Sequence, residues 1–271
     1  MKKKFFLLTL IFCAFDLFCA ERIVVLSPAA QEILYAIGAE NKIVARTDFC
    51  NYPAEAENIP SVGGFDGKTL SIEKIISFKP DLVYGSRGMH DFLKESCDRF
   101  GVELFLSMAD SIQGVYDEIS FIGSKTGCET ESEKIILKMK EGFDKIQNQL
   151  LNNPEKKRKT VYWEIWNSPY MTAGGSSFIN ELIYVSGGEN IFSDITEQTY
   201  PVISEESILA RNPDVIILPF GNIEECCKRN GWNFISAVRS KRVYTVNDDI
   251  FSRPGPRILD AAEMLCEILK Q

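Results

Sequence analysis

Five loop segments carry the side chains that could do chemistry, and that chemistry is non-covalent capture. Asp48-Phe-Cys-Asn-Tyr-Pro53, Gly63-Gly-Phe-Asp-Gly67 and Gly85-Ser-Arg-Gly88 lie in the first half of the chain. Tyr200-Pro201 and Asp248-Asp-Ile-Phe-Ser-Arg253 lie in the second. In open α/β sheets a ligand sits beyond the carboxyl ends of the strands, where these loops belong. Aromatic faces with a few hydrogen-bonding groups suit a large, flat, partly apolar ligand better than a sugar or a single ion. For each aromatic the opposing reading is a plug that closes the core beneath its loop.

Covalent and metal chemistry are poorly supplied. The single histidine, His90, leaves neither a His-cluster metal site nor a His-based triad. Its place near a loop start predicts a surface residue. No Gly-x-Gly-x-x-Gly and no Walker-type lysine loop is present. Gly174-Gly175, before Ser176-Ser177, could offer helix amides to an anion, or simply form the turn that starts a helix. Asp249, Glu164 and Asp66 could serve as acid–base groups of a secreted two-lobed hydrolase, but no nucleophile–base pair accompanies them. The sequence therefore predicts no enzyme, no catalytic residue, no metal ligand and no resident cofactor.

The elements that must position these loops alternate. Ile23–Leu26 reads as a strand, Ala29–Ile37 as a helix stopped by Gly38, and Lys42–Arg46 as a strand. Thr47–Lys68 is loop, Ser71 caps a helix ending before Pro80, and strands follow at Leu82–Tyr84 and Glu103–Leu106 around a helix at Glu95–Phe100. From Ser111 the pattern turns helical, and Thr130–Asn152 carries one long apolar face broken only by Gly142. At 1.5 Å per residue that helix spans about 34 Å, enough to run along two stacked lobes. After a charge run at 153–159 the alternation resumes: strand Thr160–Ile165, helix Phe178–Val185, a helix capped by Ser204, strands Val215–Leu218 and Val243–Val246, and a terminal helix from Pro256.

One passage is written twice. Ser71-Ile-Glu73 through Pro80-Asp81-Leu-Val83 is echoed by Ser204-Glu-Glu206 through Pro213-Asp214-Val-Ile216, with a glutamate seven residues before a Pro-Asp pair in each. Gly38-Ala-Glu-Asn41 is echoed by Gly187-Gly-Glu-Asn190, each closing a helical stretch with a matched Glu32 or Glu181. The copies predict two similar α/β lobes with central, mostly parallel sheets, joined by one long α-helix, and a ligand cleft between them. The expected units are a signal segment over 1–20, an N-terminal lobe over 21–128, a backbone helix over 129–153 and a C-terminal lobe over 154–271. A rigid helical crossover predicts little hinge motion.

Lys2-Lys-Lys4 followed by apolar residues through Ala20 has a secretory layout. Phe18 fits imperfectly both with cleavage after Ala20 and with acylation of Cys19, so a soluble and a lipid-anchored product both stand. The whole chain carries a net charge of −8, and losing three lysines with Asp16 makes the remainder more acidic. Nucleic acid and anionic membrane surfaces are thereby poor partners. Beyond Cys13 and Cys19, the six cysteines show no Cys-x-x-Cys spacing; pairing and burial as small hydrophobes both remain open.

Arg22-Ile-Val-Val-Leu-Ser-Pro28, Asp48–Pro53, Ile72-Glu73 through Val83, Gly187-Gly-Glu-Asn-Ile-Phe192 and Ser252-Arg-Pro-Gly-Pro-Arg257 give the chain a specific likeness. It resembles the solute-binding proteins with a helical interlobe backbone that serve ABC importers of cobalamin, haem and iron-siderophores, and within that class the cobalamin binders. The resemblance covers residues 22–271. It implies an exported receptor that captures a corrinoid, cobalamin, and delivers it to a permease dimer in the inner membrane. Phe49, Phe65 and Tyr200 would flank the corrin, and Asp249 and Arg253 would face it. Ser86 stands where an aromatic is expected, and Ser186 where a cysteine is found, which leaves Cys266 without the corresponding bridge. Glu73 and Glu206 would dock onto permease arginines, one per lobe; as first-turn charges they also offset a helix dipole with no partner at all. A siderophore or haem ligand, with Arg87 and Arg253 holding its anionic groups, is the alternative within the class.

Overall fold

A parallel sheet and a mostly parallel one, each flanked by helices, are bridged by one long helix. The computed structural model describes residues 19–152 and 157–270, so most of the expected leader lies outside the described residues. The first sheet holds β1 (Ile23–Val25), β2 (Ile43–Arg46), β3 (Leu82–Ser86) and β4 (Glu103–Ser107), ordered β2-β1-β3-β4 and parallel throughout. Its crossovers carry α1 (Pro28–Ala36), α2 (Ile72–Ser77) and α3 (Lys94–Phe100). Then come α4 (Ile112–Thr126) and α5 (Glu129–Leu151), with Gly127 between them at a φ of 69° that a side chain would resist.

The second sheet is built on β5 (Lys159–Asn167). One of its edges pairs with β6 (Tyr170–Thr172, antiparallel) and β7 (Gly188–Asn190, parallel), and the other leads to β8 (Val215–Leu218) and β9 (Val243–Thr245). Its helices are α6 (Phe178–Val185), α7 (Glu205–Arg211), α8 (Ile223–Cys227), α9 (Ser236–Arg239), α10 (Asp248–Phe251) and α11 (Ile258–Lys270). The short β1 and β8 are buried at every residue, the pattern of strands covered on both faces. Ser71, Ser111, Ser177 and Ser204 each cap a helix by accepting from the amide three residues on, at 3.0–3.2 Å.

The doubled Pro-Asp pair has a structural job. Asp81 accepts from the amides of Glu21 at 2.8 Å and Arg22 at 3.1 Å, tying the start of β3 to the start of β1. Asp214 accepts from the Thr160 amide at 3.0 Å and hydroxyl at 2.9 Å, tying the start of β8 to β5. The same carboxylate thus sets strand register in both sheets.

One apolar core runs through both sheets and α5, taking in Ile23, Leu34, Phe143, Trp163, Val215 and Leu259, while a second around Tyr162 and Trp232 belongs to the second lobe and a third around Val24 and Val83 to the first. Gly142, the break in the apolar helix, is where α11 presses closest: a Cβ there would stand 2.4 Å from Leu259 Cδ2. Two lobes sharing one core and a continuous helix are coupled more stiffly than lobes joined by strands. Among the described residues no helix is long and apolar enough to cross a membrane.

Candidate functional site

Loops leaving the carboxyl ends of both sheets meet, and they bring most of the nominated residues into one connected array. On the first-lobe side the loop after β2 carries Phe49, 55% exposed, whose ring meets Phe65 edge-on at 5.6 Å between centroids. Phe65 in turn packs edge-on against His90 at 5.5 Å. Here the surface expectation for His90 fails: the residue is fully buried. After β3 the chain folds back so that the His90 amide donates to the Ser86 carbonyl at 3.0 Å, and Gly85, lacking a side chain, leaves room for the ring. The Ser86 amide donates to Nδ1 at 2.9 Å, which makes Nε2 the protonated nitrogen, donating to the Phe65 carbonyl at 3.1 Å. Burial pushes the imidazole pKa down. Ser86 is half-buried, while Arg87 is exposed, with its amide bonded to the Ser107 carbonyl at 3.0 Å.

Across the lobes runs a charged seam. Arg253, nearly buried, donates to Glu32 at 3.0 Å and to Asn51 at 3.0 Å, and also pairs with Asp249. Arg257 donates to both oxygens of Glu32 and lies over the Tyr52 ring at 3.8 Å. Glu32 and Asn51 belong to the first lobe, and the two arginines follow β9 in the second. The Arg253 guanidinium is thus already committed to Glu32, Asn51 and Asp249. Tyr200 is 44% exposed; desolvation, and after that the nearby Asp248 carboxylate, raises the phenol pKa.

Three large side chains at strand ends were not singled out from sequence. Trp166 at the end of β5 is 54% exposed, Phe220 after β8 is 62% exposed, and Met108 after β4 is 58% exposed. Trp166 and Phe220 line a small cavity of about 120 Å³ with Asn167 and Glu164. The rule that nominated the other loops, a polar or aromatic residue just past an apolar run, would have found Trp166 and Phe220 but not Met108. A larger cavity of about 910 Å³ lies at the opposite pole of the second lobe, lined by Leu150, Arg158, Tyr184 and Leu269. It opens on the start of β5, away from these loops.

The acid–base candidates are otherwise occupied. Glu164 is buried and paired with Arg229, whose Nη2 reaches Oε1 at 2.9 Å. Asp66 accepts from Thr69 Oγ1 at 2.9 Å and the Lys68 amide at 3.0 Å, and the Thr69 hydroxyl chiefly holds its pKa down. Asp249 serves Arg253. The Gly174 and Gly175 amides donate to the carbonyls of Thr199 and Ile195, so that turn starts α6 and does not offer its amides to an anion. The seven described cysteines are free, with Cys266 bonded through Sγ to the Ser186 carbonyl at 3.3 Å. Glu73 and Glu206 are exposed in the first turns of α2 and α7.

Comparison with known proteins gives this geometry a family. The family pattern described as periplasmic binding protein matches residues 23–250. An ABC transporter substrate-binding lipoprotein of Bacillus subtilis, YvrC, is 32% identical over 91% of this chain and 79% of its own. The vitamin B12-binding protein of Photorhabdus laumondii is 28% identical over 92% of this chain and 87% of its own. Among solved structures, a possible iron-binding periplasmic protein of Staphylococcus epidermidis superposes with a TM-score of 0.82 at 31% identity, covering 93% of this chain and 99% of that one. The vitamin B12-binding protein of Vibrio cholerae gives a TM-score of 0.78 at 28% identity, covering 93% and 97%. With two α/β lobes, a long helix between them and a match across most of its length, the chain belongs to the periplasmic binding protein family of ABC transporters.

Proposed function

We propose that this protein is the exported receptor that captures a corrinoid, cobalamin, in the interlobe cleft and hands it to an inner-membrane ABC permease dimer. The observation that carries the reading is that loops beyond the sheets of both lobes present exposed aromatic faces, Phe49 in one and Trp166 and Tyr200 in the other. Such faces suit a wide, flat ring system with uncharged polar fringes. The seam beneath them favours a ligand without strong negative charge, because Arg253 already serves Glu32 and Asp249. Vitamin B12-binding relatives at 28% identity across more than nine-tenths of the chain support the same choice.

In this reading Phe49, Phe65 and Tyr200 flank the ring, Ser86 and Arg87 form the more open part of the wall, and Asp249 and Arg253 underlie it. Glu73 and Glu206, exposed at matched places on the two lobes, dock onto the permease. The leader over 1–20 directs the chain to the periplasm, soluble or lipid-anchored. Titration of the purified protein with cyanocobalamin in a calorimeter tests the ligand: saturable one-to-one binding is expected, and absence of heat and of co-elution at micromolar concentration would sink it.

A haem or iron-siderophore ligand is the second reading. Exposed Arg87 beside the small Ser86 could receive an anionic edge, and the 31% identical Staphylococcus epidermidis protein is described as possibly iron-binding. A thermal-shift panel of cyanocobalamin, haemin and ferric hydroxamates separates the two, since the true ligand raises the melting point by mass action.

A further inference from the structure

The only histidine of the chain stands behind the first wall of the cleft with both ring nitrogens engaged by the backbone of two different loops. Nδ1 accepts from the Ser86 amide, Nε2 donates to the Phe65 carbonyl, and the ring face supports Phe65, whose own ring supports Phe49. The first bond closes the turn after β3 on itself, and the second is long-range. Phe65 lies twenty-five residues away, and that bond fastens the Gly63–Gly67 loop to the turn that follows β3. The fit is close: a Cβ on Gly85 would stand 3.0 Å from Nδ1, so the backbone has been brought up against the ring.

We propose that His90 is the positioning residue of this wall, holding the Phe65 and Ser86–Arg87 segments in their ligand-accepting arrangement while its ring is neutral and releasing them when it is protonated. The inference rests on the reading of the cleft as the capture site. A protonated imidazole has two donors and no acceptor. Nδ1–H would then oppose the Ser86 N–H, and two donors cannot share this half-buried contact. Ser86 must move away, and Arg87 and the Phe65 ring move with it. Asp91 is the carboxylate that faces the ring and favours its charged form, whereas burial opposes it more strongly. Asp66 and Arg87 are the charged residues next to its two partners in sequence. The consequence is a receptor that holds ligand at neutral pH and weakens as the medium acidifies.

Two arms test this on the full mature chain. In the first, cyanocobalamin is titrated into wild type and His90→Asn at pH 7.5 and pH 5.0. Asn can still accept from the Ser86 amide but does not titrate. Wild type is expected to lose affinity about tenfold or more at the lower pH, the loss of one buried hydrogen bond and its geometry, and His90→Asn to show a weaker but pH-independent affinity. A flat wild-type profile, or the same slope in His90→Asn, overturns the proposal. Should that variant fail to fold, His90→Gln, which keeps a donor toward Phe65, takes its place.

The second arm needs no ligand. A long-range nitrogen–proton spectrum reads the tautomer of the sole imidazole, and the Ser86 amide is followed through the same titration. An Nε2–H ring whose protonation shifts the Ser86 amide supports the proposal even if cyanocobalamin binds at neither pH, a result that would sink only the corrinoid reading. A ring that titrates without moving Ser86 overturns it.

Discussion

Glu32 and Arg257 are locked together across the two lobes: Nε reaches Oε2 at 2.7 Å, and Nη2 reaches Oε1. Arg253 adds a third bond to the same carboxylate at 3.0 Å. Glu181, its counterpart in the second lobe's sequence echo, also reaches across, accepting from the Ile112 amide at the start of α4 at 2.8 Å. The paired glutamates are therefore reciprocal ties between lobes. Removing one partner of a buried ion pair leaves the other charge uncompensated, at a cost of about 3–5 kcal/mol. Glu32→Gln leaves Arg257 without a carboxylate and Arg253 with Asp249 alone, and urea unfolding should show a loss in that range. A loss below about 1 kcal/mol would mean that the arginines find other partners and the seam does not hold the lobes.

The exposed aromatics should behave in the opposite way. Phe49→Ala and Trp166→Ala remove rings that are more than half exposed, so the melting temperature should hardly change. If both rings stack on the ligand, each substitution weakens cyanocobalamin binding by about 10–100-fold, the usual cost of an aromatic anchor. Equal affinity in both variants would place the ligand elsewhere.

Much of this fold could be read from the chain, for definite reasons. Caps such as Ser71 and Ser204, the stop at Gly38 and the apolar runs at Val215–Leu218 are local signals, and α6 falls on Phe178–Val185 as its pattern predicts. What could not be read is held from a distance. Gly188-Glu-Asn190 has no strand propensity and becomes β7 only because β5 pairs with it. His90 is buried because Gly85 gives it space and Phe65 gives it a partner. The seam joins Glu32 to arginines more than two hundred residues away, and no spacing rule anticipates it. The sequence echo was legible, but its Pro-Asp pairs proved to set strand register.

If the matched glutamates dock onto the permease as proposed, substituting them separates binding from delivery. Among the described residues Glu73 and Glu206 make no bond outside their own first turn, and each offsets a helix dipole by about 0.3–1 kcal/mol. The double substitution Glu73→Arg with Glu206→Arg should leave cyanocobalamin affinity unchanged and lower stability only slightly. Uptake reconstituted with the cognate permease in proteoliposomes should fall to background. Undiminished uptake would remove both residues from the docking surface.

A buried carboxyl should make stability fall toward alkaline pH. Glu118 accepts from the Tyr84 hydroxyl and, through its other oxygen, from the Ser107 hydroxyl. Burial nevertheless pushes its pKa up, outweighing those bonds. A carboxyl whose pKa is higher folded than unfolded binds its proton more tightly in the native state. Its contribution is complete below the unfolded value of about 4.3 and is lost as pH rises through the folded value. His90, with its pKa lowered in the fold, works the other way and costs stability as pH falls. Comparing Glu118→Gln with wild type cancels that second effect, since His90 is common to both. The variant's denaturation midpoint, relative to wild type, should therefore be higher at pH 8 than at pH 5. An identical difference at the two pH values would show that Glu118 does not change protonation on unfolding, leaving its two hydroxyl donors as the whole of its role.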